Sequence, residues 1–237
     1  MLKCNRIFGI FLCPKENDRI KAIEKTWLPR KLKNDLVFYV YGTNDNSPAR
    51  LEGRKLYVPC VESYETLAEK TYEFFKYCSL NIDFNYIIKM DSDIYVDNRC
   101  KNLIKSLDTY FKDGYNYCGK FVTGECGNRK HHYNLVPKEL RKEYEGKFPL
   151  KWAQGHCYML GKDTVDFIAS IDKTKIPELK LDVMYEDAMI GTILENNKNV
   201  KIFNFNVNDY VLHFRLSSNK LNGAHIIKHH KKQKETT

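Results

Sequence analysis

Short apolar runs alternate along the chain with segments that have helical periodicity. The apolar runs, which are bounded by turn residues, predict strands over residues 6–13, 36–41, 86–90, 115–122, 157–160, 200–205 and 210–214. Segments whose apolar residues recur every three or four positions predict helices over residues 19–27, 64–78, 98–111, 163–171 and 187–196. This alternation favours an α/β fold in three layers, with helices on both faces of a mostly parallel central sheet.

Residues 123–151 interrupt the alternation. The stretch is polar, contains aromatic residues and is long for a connection between two elements, so we expect it to line a binding cleft. No run rich in Pro, Gly or Ser divides the 237 residues. We therefore predict a single domain over residues 1–227, followed by a basic and flexible tail over residues 228–237.

Composition narrows the class of protein. Hydrophobic residues make up 43% of the chain and aromatic residues 13%, which is enough for a core and excludes a disordered protein. The net charge of +9 suits an anionic partner such as a nucleotide, a nucleic acid or a membrane surface. The longest apolar run near the start, residues 7–13, is far too short to span a bilayer, so we expect no transmembrane anchor.

Cysteine usage points to a reducing environment. The chain has eight cysteines but shows no signal peptide, and we expect most of these side chains to be reduced thiols in the core. The sequence has no Cys-x-x-Cys pair and no His/Cys cluster at zinc spacing, so a structural zinc site is not expected.

The most chemically distinctive segment is the predicted strand at residues 86–90, which ends at Asp91, Ser92 and Asp93. If the strand is buried, both carboxylates lie at the carboxyl edge of the sheet, where open α/β folds bind their ligands. Alternation directs the two side chains to one side of the backbone. Such a pair suits a divalent cation with phosphate ligands. Taken alone, an Asp-x-Asp can also be a pair of solvated loop acids.

Four segments, taken in order, resemble one family. They are Arg19-Ile-Lys-Ala-Ile-Glu-Lys-Thr-Trp27, Tyr64-Glu-Thr-Leu-Ala-Glu-Lys-Thr71, Lys89-Met-Asp-Ser-Asp93 and Tyr185-Glu-Asp-Ala-Met-Ile-Gly191. Together they resemble the β1,3-galactosyltransferase and Fringe-like family of inverting glycosyltransferases, over roughly residues 6 to 215. The resemblance implies a GT-A fold, a nucleoside-diphosphate sugar donor (with UDP favoured) and a Mn²⁺ or Mg²⁺ ion. It further implies transfer with inversion to a hydroxyl group of a glycan or glycoprotein acceptor.

The resemblance also implies roles around the donor. Asp93 matches a direct metal ligand, Asp91 would lie near the ribose or reach the metal through water, and His213 would complete the metal site, with His225 as the competing candidate. Residues that could contact the nucleotide sugar are Arg19, Lys70, Lys89, Asp91, Ser92 and Lys228. Lysines that stand near acids are also often simply partners of those acids.

On the acceptor side, the resemblance makes Asp187 the base that takes the proton of the attacking hydroxyl. Glu186 would orient the acceptor or hold the helix. Gly155 would let the backbone approach the sugar closely, and Trp152 would offer a flat face to a pyranose ring or belong to the core. Gln154 and His156 stand where the family carries glycines, so the donor sugar remains open.

Two other functions compete with this hypothesis. An Asp-x-Asp after an apolar strand also marks phosphohydrolases that use the first aspartate as nucleophile. The positive charge and the many aromatic residues would suit a nucleic-acid-binding protein, although the basic residues are scattered and we expect no nucleic-acid partner. Animal members of the resembled family usually carry a membrane helix and disulfides. This chain shows neither, so we expect a soluble cytoplasmic enzyme, acting in the host cytoplasm if its source is viral.

Overall fold

A computed structural model describes most of the chain. The described residues are 1–28, 34–45, 47–96, 100–123, 149–176, 185–195, 197–213, 226–228 and 231, without the side chains of 100–102, 208, 212 and 213. The strands are β1 (Leu2–Lys3), β2 (Arg6–Phe11), β3 (Asp35–Gly42), β4 (Arg50–Glu52), β5 (Lys55–Val58), β6 (Ile82–Asp83), β7 (Tyr86–Asp91), β8 (Ile94–Val96), β9 (Tyr117–Thr123), β10 (Lys151–Gly161), β11 (Ile202–Asn204) and β12 (Val211–His213). The helices are α1 (Asn17–Lys25), α2 (Leu67–Asn81), α3 (Cys100–Lys112), α4 (Lys162–Ser170) and α5 (Glu186–Glu195).

One large sheet organises these elements. Within the described residues it has eight strands in the order β11-β9-β10-β7-β2-β3-β5-β4. Strands β5, β3, β2 and β7 are mutually parallel neighbours. Numbered along the chain, these four strands have the order 3-2-1-4, which is the first part of the order of a doubly wound α/β sheet. The chain reverses its direction of travel across the sheet between β2 and β7, and ligands of such folds bind at the carboxyl ends of the strands there.

The sheet continues beyond β7 with a change of direction. β10 runs antiparallel to both β7 and β9, and β11 is parallel to β9. Because β10 is antiparallel, its early residues lie at the same edge of the sheet as the carboxyl end of β7. The register of β10 against β9 shifts between Ala153 and Tyr158, so a bulge lies close to that edge.

Alternating side chains on the strands build two cores. On β2, Ile7 and Phe11 face one core with helices α2, α4 and α5, whereas Phe8 and Ile10 face the other with α1 and α3. Gly9 lies between Ile7 and Phe11 on the same face of β2. A side chain does not fit there, because a Cβ atom would come within 2.5 Å of the Phe74 ring. The predicted three-layer α/β fold with a mostly parallel sheet is confirmed.

Element boundaries show where the sequence pattern was incomplete. The predicted strand 157–160 is only the last part of β10, and the β4–β5 hairpin and β8 were not predicted. The second helix begins at Leu67 and not at Tyr64, because the Thr66 hydroxyl accepts from the Ser63 amide and donates to the Val61 carbonyl in a preceding turn. The predicted helix start at residue 98 lies outside the described residues, as do residues 124–148 of the expected cleft.

The described cysteines are free thiols, as the sequence predicts. They are Cys4, Cys13, Cys60, Cys78, Cys118 and Cys157, and all but Cys13 are buried. Burial raises the pKa of the Cys157 thiol to about 12. Among the described helices, none is both long and apolar enough to cross a membrane.

Candidate active site

The two aspartates lie at the carboxyl edge of the sheet, at the end of β7. Asp91 is the last residue of that strand and pairs with Phe11, the last residue of β2. The side chain of Asp91 is 36% exposed, so it can be reached from solvent. The register of β12 against β8 places the backbone of His213 opposite Ile94, the residue that follows Asp93. The His213 side chain lies outside the described part.

The turn between the aspartates is fixed to the start of α1. Nη1 of Arg19 donates to the Ser92 hydroxyl at 2.5 Å and forms an ion pair with Glu16 at 2.9 Å. The Ser92 hydroxyl in turn donates to Glu16 at 3.0 Å. Glu16 was not singled out from the sequence, where it reads as a turn residue after β2. Arg19 and Ser92 therefore lie together at the edge where a nucleotide would bind, and their contact with it remains a prediction.

A buried lysine lies beneath Asp91. Nζ of Lys89 is 2.7 Å from Asp91 Oδ1, 2.6 Å from the Gly155 carbonyl oxygen and 3.0 Å from Glu186 Oε1. Its side chain is only 1% exposed. Burial disfavours the ammonium, but Asp91 and Glu186 outweigh that effect and raise the pKa of Lys89 above its ordinary value.

Glu186, the first residue of α5, faces this lysine. Its carboxylate also accepts a hydrogen bond from the Tyr158 hydroxyl at 3.1 Å, and the residue is 4% exposed. Burial, together with the charges of Asp187 and Asp91, raises the pKa of Glu186 to about 7 against the opposing effect of Lys89. Glu186 therefore fixes the start of α5 to β7 and β10 through Lys89 and Tyr158, and the orientation of an acceptor by Glu186 remains a prediction.

Asp187 lies in the first turn of α5 beside Gly155. Oδ1 of Asp187 accepts from the Ala188 amide at 2.9 Å, and Oδ2 accepts from the Gly155 amide at 3.3 Å. The positive end of the helix dipole favours a carboxylate at this position. The peptide groups of Gly155 thus contact Asp187 on one side and Lys89 on the other.

Packing requires the glycine at 155, and its close approach to the donor sugar remains a prediction. A Cβ atom there would lie 2.6 Å from Glu186 Oε2, so the absent side chain makes room for Glu186. The interpretation of Trp152 as a sugar-stacking face is wrong. The ring is 1% exposed, and its Cβ atom lies 2.6 Å from where a side chain on Gly191 would begin. Trp152 belongs to the core between β10 and α5.

Two of the predicted phosphate-binding lysines are partners of acids instead. Lys70 is buried, donates to the Leu12 carbonyl at 2.9 Å and is ion-paired with Glu62. Lys89 is occupied by Asp91, Gly155 and Glu186, as described above. The prediction that Lys70 or Lys89 contacts a diphosphate directly is therefore wrong, because each ammonium is enclosed and already has its acceptors. Lys228 is exposed, and His225 lies outside the described residues.

Tyr64 is a neighbour of the acids that sequence reasoning missed. Burial raises the pKa of its phenol, and the charges of Asp91, Asp187 and Glu186 raise it further, so the side chain lies within the electrostatic range of all three carboxylates. A signal was present in the sequence. Tyr64 is the first residue of the second segment that resembles the family, but it was interpreted there only as part of an apolar helical stripe.

The described residues can be tested against a divalent cation. Among them, no three His, Cys, Asp or Glu side chains are grouped so as to enclose a metal ion. Mg²⁺-like ions, however, are commonly bound by one or two carboxylates together with substrate phosphates. Asp91, which is 36% exposed at the end of β7, and Asp93, two residues further on, supply carboxylates of the kind that such an ion accepts.

Comparison with known protein families gives a match over most of the chain. A family model described as Galactosyltransferase matches residues 18–205. The chain belongs to this galactosyltransferase family. It is therefore a glycosyltransferase, and the family predicted from the four segments is confirmed. Glycosyl transfer is thus favoured over the phosphohydrolase and nucleic-acid-binding alternatives for this galactosyltransferase-family chain.

Two solved structures are similar to this galactosyltransferase-family chain. A glycosyltransferase involved in the glycosylation of the major capsid of PBCV-1 aligns with 10% identity and a TM-score of 0.47, over 96% of this chain and 99% of that one. The protein A197 from STIV aligns with 8% identity and a TM-score of 0.41, over 85% of this chain and 82% of that one. No curated protein sequence matches the chain.

Proposed function

We propose that the chain is a metal-dependent, inverting glycosyltransferase that moves a sugar from a UDP-sugar to a hydroxyl group of a glycan or glycoprotein. One observation carries the proposal. Asp91, which is reachable from solvent at the end of β7, and Asp187, in the first turn of α5, both lie around the Gly155 peptide. A displacement needs one acid on the side of the leaving nucleotide and another on the side of the attacking alcohol. Asp91 and Asp187 suit these two places because they are held by different elements, β7 and α5.

In this proposal Asp91 and Asp93 hold the cation on the donor side. When bound there, the cation supplies positive charge against the departing diphosphate. Asp187 acts on the opposite side and accepts the proton of the acceptor hydroxyl. The bond from the sugar carbon to the diphosphate oxygen breaks as the bond to the acceptor oxygen forms, so the configuration inverts. The amides of Gly155 and Ala188 keep the Asp187 carboxylate in place for this transfer.

Substitution of single aspartates tests these roles. Asp187→Asn keeps the size of the side chain and one oxygen, which can accept from the Gly155 amide or the Ala188 amide but not from both, and it removes the base. We expect it to bind UDP with Mn²⁺ as the parent does and to lose turnover by a factor of about 10² to 10⁴. Asp93→Ala should instead weaken Mn²⁺-assisted UDP binding. Binding is measured by calorimetry, and turnover by release of UDP from UDP-galactose with water or a glycan as acceptor.

Asp113→Asn is the matched control, because Asp113 is exposed at the end of α3. It should leave both binding and turnover unchanged. If Asp187→Asn released UDP at the parental rate, another residue would have to be the base. If the parent bound neither UDP nor GDP with Mn²⁺ and hydrolysed none of their sugars, the proposed function would be wrong.

A further inference from the structure

One ammonium group joins the two acidic sides of the site. Lys89 lies in the interior of β7, and its Nζ atom contacts three separate elements: Asp91 on β7, Gly155 on β10 and Glu186 on α5, all within 3.0 Å. We propose that Lys89 is a positioning residue that fixes the position of Asp91, on the donor side, relative to Gly155 and Glu186. Because Gly155 bonds to Asp187 and Glu186 precedes it in the chain, Lys89 also positions the base Asp187. The inference rests on the proposed function.

The three contacts match the bonding capacity of an ammonium. A protonated lysine has three N–H donors and no acceptor, and here each donor can be assigned to one oxygen. The donors of a lysine radiate from a single point, whereas an arginine presents its donors in a planar fork. Acceptors that come from a strand end, a neighbouring strand and a helix start surround one point and suit lysine. The position therefore requires this side chain and not merely a positive charge.

The surroundings of Lys89 exclude water. The ring centroids of Phe11 and Tyr158 lie 5.1 Å and 5.8 Å from Nζ, within the range of cation–π attraction. In such an enclosed place, hydrogen bonds to charged groups are stronger than in water, and a lost partner is not replaced by solvent. The distances around Lys89 are therefore held firmly, which is the property that a positioning residue needs.

The bulge of β10 explains how Gly155 reaches the lysine. Gly155 lies between Ala153 and Tyr158, where the register of β10 against β9 shifts. A bulge interrupts the regular ladder, so carbonyl and amide groups within it can bond elsewhere. The Gly155 carbonyl accepts from Lys89, and its amide donates to Asp187. A displacement of the lysine is thus transmitted to the base through one residue.

The test compares Lys89→Met and Lys89→Arg with Arg6→Met. Arg6 is the matched structural control, because it forms ion pairs of 3.0 Å with Asp35 and Asp108 at the amino end of β2, the end opposite the site. Release of UDP from UDP-galactose and affinity for UDP with Mn²⁺ are measured well below each melting temperature. Hydrogen exchange is measured without ligand on peptides that cover residues 151–161 and 185–195.

We expect Lys89→Met to lower kcat about 100-fold, as small misplacements of catalytic groups do, and to change UDP affinity less than about threefold. Exchange should increase at the Gly155 and Ala188 amides. Lys89→Arg should fold and recover only part of kcat, and this variant decides the matter if Lys89→Met does not fold. Arg6→Met should lose stability while kcat and the exchange of these two amides stay parental.

Parental kcat and exchange in both Lys89 variants would overturn the inference, and so would an equal loss of kcat in Arg6→Met. A parent that neither binds UDP nor releases it from UDP-galactose would show that the proposed function fails. The exchange experiment separates the two outcomes, because it tests the hold of Lys89 on Gly155 and α5 without any ligand.

Discussion

Glu186 is a buried acid whose surroundings oppose its charge. In the unfolded chain its pKa is near the ordinary 4.5, whereas in the folded chain burial raises the pKa to about 7. Between these two pH values the folded state keeps a proton that the unfolded state has released. The stabilisation from that proton is fully present below about pH 4.5 and is lost as the pH rises through about 7.

Glu186→Gln should remove this dependence, because glutamine is neutral at every pH. Compared with the parent, the variant should gain in free energy of unfolding between pH 5 and pH 8, by on the order of 2 kcal/mol. Urea unfolding at pH 5, 6.5 and 8 measures the difference.

Thr192→Ala serves as the control, since it changes a side chain of the same helix that carries no charge at any pH. Its difference from the parent should be the same at the three pH values. A difference for Glu186→Gln that is constant, or that grows in favour of the parent as the pH rises, would show that the carboxylate of Glu186 is not destabilised by burial.

At the scale of elements, the site depends on how α5 docks on β10. Gly191, the last residue of the fourth segment that resembles the family, is the point of closest approach. A Cβ atom at Gly191 would lie 2.6 Å from the Cβ of Trp152 and 2.8 Å from Cγ of Pro149. The glycine therefore brings the helix, and with it the first-turn acids Glu186 and Asp187, against the strand that carries Gly155.

Gly191→Ala should destabilise the protein even though alanine favours helices. The gain in helix propensity is about 1 kcal/mol, and crowding of a packed interface costs about 1–3 kcal/mol. Because the atoms opposite Gly191 belong to or lie near backbone, we expect the cost to exceed the gain and turnover to fall as Asp187 moves. Denaturant unfolding and UDP release are the measurements.

Thr192→Ala on the same helix is the comparison, because the Thr192 hydroxyl bonds only to the carbonyl of its own helix at Ala188. It should change stability by no more than about 0.5 kcal/mol. A Gly191→Ala variant that is more stable than the parent would show that α5 does not need this close contact.

Elements with a strong apolar period could be predicted from the sequence, and contacts between distant segments could not. The strand that ends at Asp91 is a buried run, and its boundaries follow from the run itself. The β4–β5 hairpin is short and half polar, so its pattern is no clearer than that of a loop. The pairing of Lys89 with Glu186 joins two elements far apart in the chain, and only the fold brings them together. Without that contact, a lysine beside an Asp-x-Asp looks like a phosphate ligand.

At the scale of the whole molecule, the site lies where two halves of the sheet meet. The parallel strands on one side end in the Asp91–Asp93 turn, and the antiparallel strand β10 brings in Gly155 from the other side. A ligand in this crevice contacts only the folded chain, so it should stabilise the folded state as a whole.

UDP together with Mn²⁺ should therefore raise the melting temperature. At a free concentration 100 times Kd the stabilisation is about 2.7 kcal/mol, which for a chain of this length corresponds to roughly 5–10 °C. Mn²⁺ alone or UDP alone should give a smaller shift. Differential scanning fluorimetry measures these shifts, and Asp93→Ala is the control. Because the variant lacks a carboxylate that would hold the cation, Mn²⁺ should no longer increase the shift given by UDP. Equal shifts with and without Mn²⁺ would contradict metal dependence.

The acids of this site are carried by β7 and α5, and the Gly155 peptide that links them is carried by β10; all three meet at the ammonium of Lys89. In the proposed function, the reactive acids thus lie on regular elements of the core, and the connections between these elements are left to select the acceptor. Descendants that keep these three elements could exchange their connecting loops, and so acquire new alcohols as acceptors, while the chemistry of transfer stays the same.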